Sequence, residues 1–415
     1  MLSAQRRPVR VALLTASPVY TRTNLYARVA AEPRIDLSVI FASTAGLRPA
    51  PIGYRDPVSW DVDLLGGYKA TFLRRANINP VDGNFFAFRD LDVLSVLKTG
   101  NYDVLWLWGY NYLTHQLAAW SHLLRRRPVL FHENQTLIDH RPHWKELVKR
   151  IWLSSLFPRG RALFVGTESY RWFRHYQVQN DRLYFAPYAI DNERFQAEAA
   201  HLQMRKADLQ RQFGISPGLG PVILTVSRLT PQKQPVLILE AFRRLRERRA
   251  CALLVVGSGV LDGELKRRVR DQGIPDVHFT GFLNQSEIGR AYAAADIFVL
   301  ASARRETWGL VVNEAMNFAL PVVVSSRVGC AADLVRDGKN GYVVRPDDVE
   351  HLEERLEGLV ASPERSAELG AESLRTIKDW NHDRAAVGVI EAIAASVGAK
   401  RWQEATDSIA QEGQH

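Results

Sequence analysis

Two glutamates eight positions apart, Glu306 and Glu314, enclose a Gly309-Leu310 step in the run Glu306-Thr307-Trp308-Gly309-Leu310-Val311-Val312-Asn313-Glu314. A carboxylate is a poor phosphate ligand but a good acceptor for sugar hydroxyls. A helix opening near Gly309 would present free N–H groups and a positive partial charge, enough to hold a diphosphate, and glycine lets a ligand come close to the backbone. Acidic side chains on both sides of such an anion site suit a molecule with a hydroxylated ring at each end, a nucleotide sugar. A loop charge and a helix-dipole charge with no ligand would give the same spacing. A second pair, Arg228 and Lys233, stands five apart on a strand-to-helix loop. Arginine can grip a phosphate bidentately and lysine acts as a point charge.

These residues need a frame that brings strand ends together. Ala295–Ser302 and Leu320–Ser325 read as buried parallel strands on either side of the Glu306 loop and its helix, which makes a βαβ unit. Ligands of such sheets bind at the carboxyl ends of the strands. Val222–Ser227, Leu253–Gly259 and Val277–Leu283 extend the series. In the first half, Val9–Thr15, Ile35–Phe41, Tyr102–Trp108, Arg127–Phe131, Ala162–Thr167 and Leu183–Tyr188 alternate with helical stretches in the same way. The fold class is α/β, with two Rossmann-like βαβ domains; that they face across a cleft, with a C-terminal helix crossing back to the first, is what the family resemblance carried by the Glu306–Asn317 run implies. The expected boundaries are 1–205 for the first domain, 206–378 for the second, 379–400 for the return helix and 401–415 for a polar, frayed tail; 191–220 reads as the linker.

The run Glu306 to Asn317, followed by Leu320-Pro321-Val322-Val323 and Val328-Gly329-Cys330, resembles the Glu-x7-Glu signature of retaining family 4 (group 1) glycosyltransferases of the two-Rossmann-domain, GT-B type. The resemblance implies that Glu306 contacts the donor sugar, Glu314 holds the ribose hydroxyls, and the backbone at Gly309 and Leu310 cradles the diphosphate. It implies that Arg228 and Lys233 neutralise the leaving group, that the nucleobase rests on the loop of Phe282 and Leu283, and that His132, at a strand's carboxyl end, lies beside the reacting sugar. Glu133 competes with His132 for that polar role. Arg22 and Asn24, in a first loop without the glycine pair many relatives carry, are candidate acceptor contacts; an exposed loop cation is the plainer reading of Arg22. Two departures bear on donor choice: Ser302-Ala303-Arg304-Arg305 is one residue longer than usual, and Ala319 stands where glycine is common.

The implied reaction is a metal-independent, retaining transfer from a UDP- or GDP-sugar to a glycan or lipid-linked hydroxyl, with no cofactor and with domain closure excluding water. Rival readings are an epimerase or phosphorylase of the same fold, and a non-catalytic scaffold. Gly257-Ser258-Gly259 with Gly263 nears a dinucleotide fingerprint, but the third glycine is one position late and the ribose acid is missing, which argues against NAD. Asp61-Val62-Asp63 and Asp90-Leu91-Asp92 are metal-type triplets, but neither ends a strongly apolar strand, and Asp90 reads as a helix start.

The bulk numbers agree with such a protein. The 415 residues allow two domains, and two cysteines, Cys251 and Cys330, fit a reducing cytoplasm. No stretch reaches the length of a membrane span, and the first residues lack a signal peptide's apolar region. No nucleic-acid motif accompanies the net charge of +9, much of which falls between residues 121 and 175, where eleven Lys or Arg face four Asp or Glu. That region suits an anionic surface such as the inner face of a membrane. Within it, the 144–156 helix carries apolar residues at 144, 147, 148, 151, 152 and 156; it reads as core-facing, with an interfacial helix as the alternative. Residues 44–90 read as a long insertion whose aromatics (Tyr54, Trp60, Tyr68, Phe85, Phe86) pack or stack on a sugar.

Overall fold

The computed structural model describes residues 7–49, 59–78, 84–138, 143–304 and 306–412. Tyr54, Arg305 and the last three residues of the expected tail lie outside them, as does the Lys145 side chain.

The chain forms two compact units. In the first, strands β1 (Val9–Thr15), β2 (Ile35–Phe41), β3 (Lys69–Phe72), β4 (Val104–Trp108), β5 (Val129–Glu133), β6 (Arg161–Phe164) and β7 (Leu183–Phe185) build a parallel sheet in the order β3-β2-β1-β4-β5-β6-β7. The second unit carries β8 (Val222–Val226), β9 (Ala252–Val256), β10 (Val277–Gly281), β11 (Ile297–Leu300), β12 (Val322–Ser325) and β13 (Gly341–Val344) in the order β10-β9-β8-β11-β12-β13. Central strands are apolar along their whole length because helices cover both faces: every residue of β4, β9, β11 and β12 is buried. In each sheet the order reverses beside the first strand, between β1 and β4 and between β8 and β11. Ligands of sheets with such an order bind outside the carboxyl ends of the strands at that point.

Several expectations need correction. The 191–205 stretch belongs to the second unit, which spans Ala189–Asn381. Its Asn192–Leu202 helix is tied there by side chains: Asn192 donates to the carbonyls of Ile377 and Trp380, and Arg194 grips Gln285. The return helix, His382–Glu412, packs on the first unit and breaks at Gly398. Gly388 lets it sit on β7, where a Cβ would meet the Phe185 carbonyl at 1.9 Å. Val387, one residue earlier, is exposed. The expected frayed tail is helical to Glu412 and anchored at its start, for Arg401 donates to the carbonyls of Arg7 and Pro8 and Ala405 is buried.

The 44–90 stretch supplies edge strand β3 and apolar anchors, with Leu64, Leu73, Ala76 and Phe88 buried. Trp60 packs edge-on against Tyr20, and Tyr68 against Tyr26. Asp90 starts no helix; its carboxylate accepts the Arg75 N–H, and the helix opens at Asp92.

The His143–Leu156 helix forms where expected but presents the other face. Leu153 and Leu156 are fully buried, whereas Trp144, Leu147, Val148 and Ile151 are exposed. The inward face is fixed by Glu146, which accepts a 2.9 Å hydrogen bond from Tyr176, and by Lys149, whose ammonium lies 5.3 Å from the Trp172 ring centroid.

Candidate functional site

In the second unit the loops after β8 and β11 flank the switch point. After β8 the chain passes exposed Arg228 and makes a 3-10 turn at Pro231–Lys233 before the Pro235–Arg246 helix begins. After β11 the Ser302–Gly309 loop leads into the Leu310–Asn317 helix. The two loops meet: Lys233 and Glu306 form an ion pair, Ser302 Oγ donates to the same Glu306 oxygen at 3.1 Å, and the Ala303 N–H donates to the Gln232 carbonyl at 2.9 Å. Both charged side chains are mostly buried, so their attraction is screened far less than at an open surface.

Gly309 caps the helix with φ +96°, a conformation that favours glycine. A Cβ there would also meet Val328 at 2.9 Å. The N-terminus of this helix therefore lies bare of side chain, one short loop from Lys233. Glu314 follows in the second turn and is 2% exposed; its carboxylate accepts a 2.7 Å hydrogen bond from Tyr292. Trp308 donates to Asn313 at 2.9 Å and packs on Trp380, pinning the loop to the helix from the opposite side. Phe282 and Leu283 are half-buried just past β10. Gly257 and Gly259 have a packing role: Cβ atoms there would lie 1.9 Å from the Ser227 carbonyl and 2.5 Å from that of Leu229.

The first unit has its own polar cluster at the β1/β4 switch point. His132 and Glu133 end β5 within the strand, not in the loop beyond it, and both are buried. Trp108 stacks on His132 with centroids 3.7 Å apart, and the Arg22 guanidinium lies 4.2 Å over the Trp108 ring. Arg22 is thus no exposed loop cation; it is half-buried in the first turn of the Tyr20–Ala30 helix, with Asn24 half-buried two residues on.

Burial, reinforced by the Arg22 charge, holds the His132 imidazole well below its ordinary range. Its Nδ1 accepts from Trp106 Nε1 at 3.3 Å, which leaves the ring proton on Nε2. Burial pushes the Glu133 carboxyl up to about 8, against the opposing charges of Arg22 and Lys149. His132 Nε2, Glu133 Oε1, Arg22 Nε and Trp108 Nε1 are buried with no hydrogen-bond partner among the described residues. Buried polar atoms without a partner are uncommon, and here several are gathered around the Trp108 ring.

Of the residues singled out in the sequence, the structure brings Lys233 and Glu306 together and places His132 in a separate cluster of the first unit. Sequence reasoning missed Tyr292 and Trp108, which sit inside apolar runs and read as core. The metal-type triplets are otherwise engaged: Asp63 caps the N–H groups of Leu65 and Gly66, and Asp92 accepts from the Arg74 N–H.

Solved structures share this architecture. The glycosyltransferase from Rickettsia africae aligns with a TM-score of 0.70 over 94% of this chain and 99% of that one at 13% identity. Anabaena HepE, solved in complex with UDP, aligns with a TM-score of 0.68 over 92% and 98% at 16% identity. The fold is that of the GT-B glycosyltransferases. Residues 207–375 match the model for "Glycosyl transferases group 1".

Among curated relatives, a GDP-mannose-dependent α-(1-6)-phosphatidylinositol monomannoside mannosyltransferase of Mycolicibacterium smegmatis is 32% identical over 192 residues, 44% of this chain and 48% of the relative. The α-D-kanosaminyltransferase of Streptomyces kanamyceticus is 28% identical over 46% of this chain and 48% of its own. The chain spans about half the length of these curated relatives.

Proposed function

We propose that the chain is a retaining, metal-independent glycosyltransferase that moves a sugar from a nucleotide-diphosphate sugar to a hydroxyl acceptor in glycan, polysaccharide or glycolipid biosynthesis. The observation that carries this reading is the Lys233–Glu306 ion pair at the β8/β11 switch point, beside the bare helix end at Gly309. In the free protein the cation and the carboxylate satisfy each other. An arriving diphosphate draws Lys233 and Arg228 to its oxygens and takes the Gly309–Leu310 backbone N–H groups, which frees Glu306 for the sugar hydroxyls. Glu314, held by Tyr292, takes the ribose, and Phe282 and Leu283 flank the base.

The negative charge that grows on the leaving phosphate meets groups already in place, so little reorganisation is needed at the moment of reaction. The two cations and the helix end supply the counter-charge that a metal ion would otherwise bring. His132, neutral and protonated on Nε2, offers a hydrogen bond to a sugar hydroxyl, and Arg22, Asn24 and Glu133 face the acceptor. The departing phosphate oxygen takes the acceptor's proton. The retaining course follows from the family motif that Glu306 to Asn317 resembles.

The donor is a UDP- or GDP-sugar: HepE was solved with UDP, and the mycobacterial relative is named for GDP-mannose. That relative's name also gives a lipid acceptor, phosphatidylinositol monomannoside, which supports a lipid-linked hydroxyl here. We place the protein in the cytoplasm, peripheral on the inner membrane face through its basic 121–175 region. Both cysteines are free thiols, which suits a reducing compartment, and no helix among the described residues is long and apolar enough to cross a membrane.

The test is a thermal-shift screen of UDP-, GDP- and ADP-sugars, followed by transfer assays with the stabilising donor in excess EDTA and NMR of the product anomer. Full activity with retained configuration is expected. An absolute Mn²⁺ requirement or an inverted product would overturn the reading, as would rapid donor turnover without acceptor, the mark of an epimerase or phosphorylase. Tight, salt-sensitive RNA binding without nucleotide-sugar binding would instead favour a scaffold.

A further inference from the structure

The outward face of the His143–Leu156 helix is an anomaly for a protein surface. Trp144, Leu147, Val148 and Ile151 are 66%, 59%, 61% and 65% exposed, and their spacing of three and four residues sets them in one stripe. Single exposed apolar residues are ordinary; four large ones in a continuous row mark an interaction surface. Rotating the helix cannot hide them. Leu153 and Leu156 fill the core behind it, Tyr176 holds Glu146, and Lys149 lies over the rings of Tyr110, Trp172 and Tyr176. Phe86, 52% exposed, adds to the apolar margin: it packs on Phe85, which packs edge-on against Trp152 of this helix.

The charges around the stripe indicate what covers it. Arg150 is exposed on the helix itself, Arg89 lies over the Phe86 ring, and Arg174 is exposed on the neighbouring Thr167–His175 helix. The acids of these elements are engaged: Glu146 by Tyr176, and Glu168 by Arg171 at 2.7 Å. A self-complementary contact between two copies would press one positive margin against another, which disfavours a homodimer through this face. An apolar stripe with a tryptophan, rimmed by cations, matches a helix lying in the interface of an anionic bilayer.

We propose that the His143–Leu156 helix docks the protein on an anionic lipid bilayer, with Trp144, Leu147, Val148 and Ile151 entering the headgroup–acyl boundary. This stands on the first unit alone. Its consequence for the acceptor rests on the transfer reading. The inward face of the same helix carries Lys149, whose charge acts on Glu133, so the bilayer would lie one helix thickness from the buried His132–Glu133 cluster. The acceptor would then be an amphiphile delivered from the membrane.

The experiment is flotation of the full chain with vesicles of equimolar phosphatidylglycerol and phosphatidylcholine, against vesicles of phosphatidylcholine alone. The wild type is expected to float with the anionic vesicles and to release in high salt. Leu147→Ser/Ile151→Ser is expected to lose binding at least tenfold, while nucleotide-sugar thermal shifts stay at wild-type values. Arg150→Glu, which leaves the apolar row intact, serves as a second variant should the first fail to fold, and is expected to weaken binding to anionic vesicles only.

Equal flotation of wild type and variants, or no flotation of the wild type, overturns the proposal. So does a sedimentation-velocity dimer that dissociates in the double variant. Vesicle binding without sugar transfer would retain the docking helix and sink the transfer reading; transfer without vesicle binding would do the reverse.

Discussion

Tyr292 Oη donates a 2.7 Å hydrogen bond to the Glu314 carboxylate, and both side chains are buried. The bond joins the Ile288–Ala294 helix to the Leu310–Asn317 helix and fixes the acid before any ligand arrives. Tyr292→Phe removes the donor and keeps the ring. It takes one hydrogen bond away from a buried carboxylate, at a cost of about 1–3 kcal/mol. The expected outcome is a raised KM for the nucleotide sugar with kcat little changed, because the ribose contact is made equally in ground and transition states. An unchanged KM would mean that Glu314 does not hold the donor.

The Lys233–Glu306 pair yields a prediction in which function and stability part. Lys233→Ala should lower transfer tenfold or more, about 1.4 kcal/mol or above in the barrier. It also strands Glu306 in a mostly buried site, so the thermal midpoint should fall as well. In Lys233→Met/Glu306→Gln neither charge remains unpaired. The double variant should therefore recover stability relative to either single substitution while activity stays low. Additive losses of stability would show that the pair is not coupled in solution.

Much of this was readable in advance, for reasons that differ by element. β1 and β2 run over the expected residues because both are short stretches rich in Val, Ile and Leu, with their inner positions buried. β3 escaped because it is a four-residue edge strand with exposed side chains. The His143–Leu156 helix has the expected period but the opposite exposure. Apolar residues occur on both its sides, and the ties of Glu146 to Tyr176 and of Lys149 to its aromatic cage decide which turns inward. The Asn192–Leu202 helix was assigned to the wrong half because its ties reach residues more than 90 positions away. Glu306, Glu314, Arg228 and Lys233 announced themselves as polar residues between strands. Tyr292 could not, since it lies in an alanine-rich helix and its one polar atom meets a partner 22 residues on.

Glu133 sets a pH dependence. Burial raises its carboxyl to about 8 in the folded chain, from 4.5 in the unfolded one. Between those values the unfolded state releases a proton that the folded state keeps, so the group's contribution to stability falls as pH rises and levels off above about 8. Glu133→Gln removes the penalty and keeps the shape. The gap in melting temperature, variant minus wild type, should widen from about pH 5 to pH 8 and then stay constant. A gap that does not change with pH would mean that Glu133 is ionised throughout.

The buried histidines act at the other end of the scale. Burial lowers His115 to about 3 and His122 to about 4, and holds His132 well below its ordinary range. Below roughly pH 6.5 the unfolded chain binds protons that the folded chain refuses, so stability falls as the solution is acidified. His115, fully buried and lowered chiefly by that burial, is the simplest to test. Replacing it with Phe should flatten the acid limb of the melting-temperature profile, and an unaltered limb would assign the loss to carboxylates instead.

Ala319 adopts φ +53°, a backbone conformation that favours glycine. An L-residue pays about 1–2 kcal/mol in that region, against roughly 0.4–1 kcal/mol of unfolded-chain entropy that a glycine adds. The balance predicts that Ala319→Gly stabilises the second unit slightly, by about half a kcal/mol or a little more. The same turn predicts a large effect of opposite sign nearby. A Cβ on Gly370 would lie 1.9 Å from the Ala319 carbonyl oxygen, a backbone atom that cannot swing aside. Gly370→Ala must therefore push the Pro363–Ile377 helix off the end of the Leu310–Asn317 helix, which carries Glu314. A thermal melt should show a rise of a degree or two for the first variant and a steep fall, with weakened nucleotide-sugar binding, for the second; wild-type melting of Gly370→Ala would show that the turn is looser than the close approach of Ala319 and Gly370 requires.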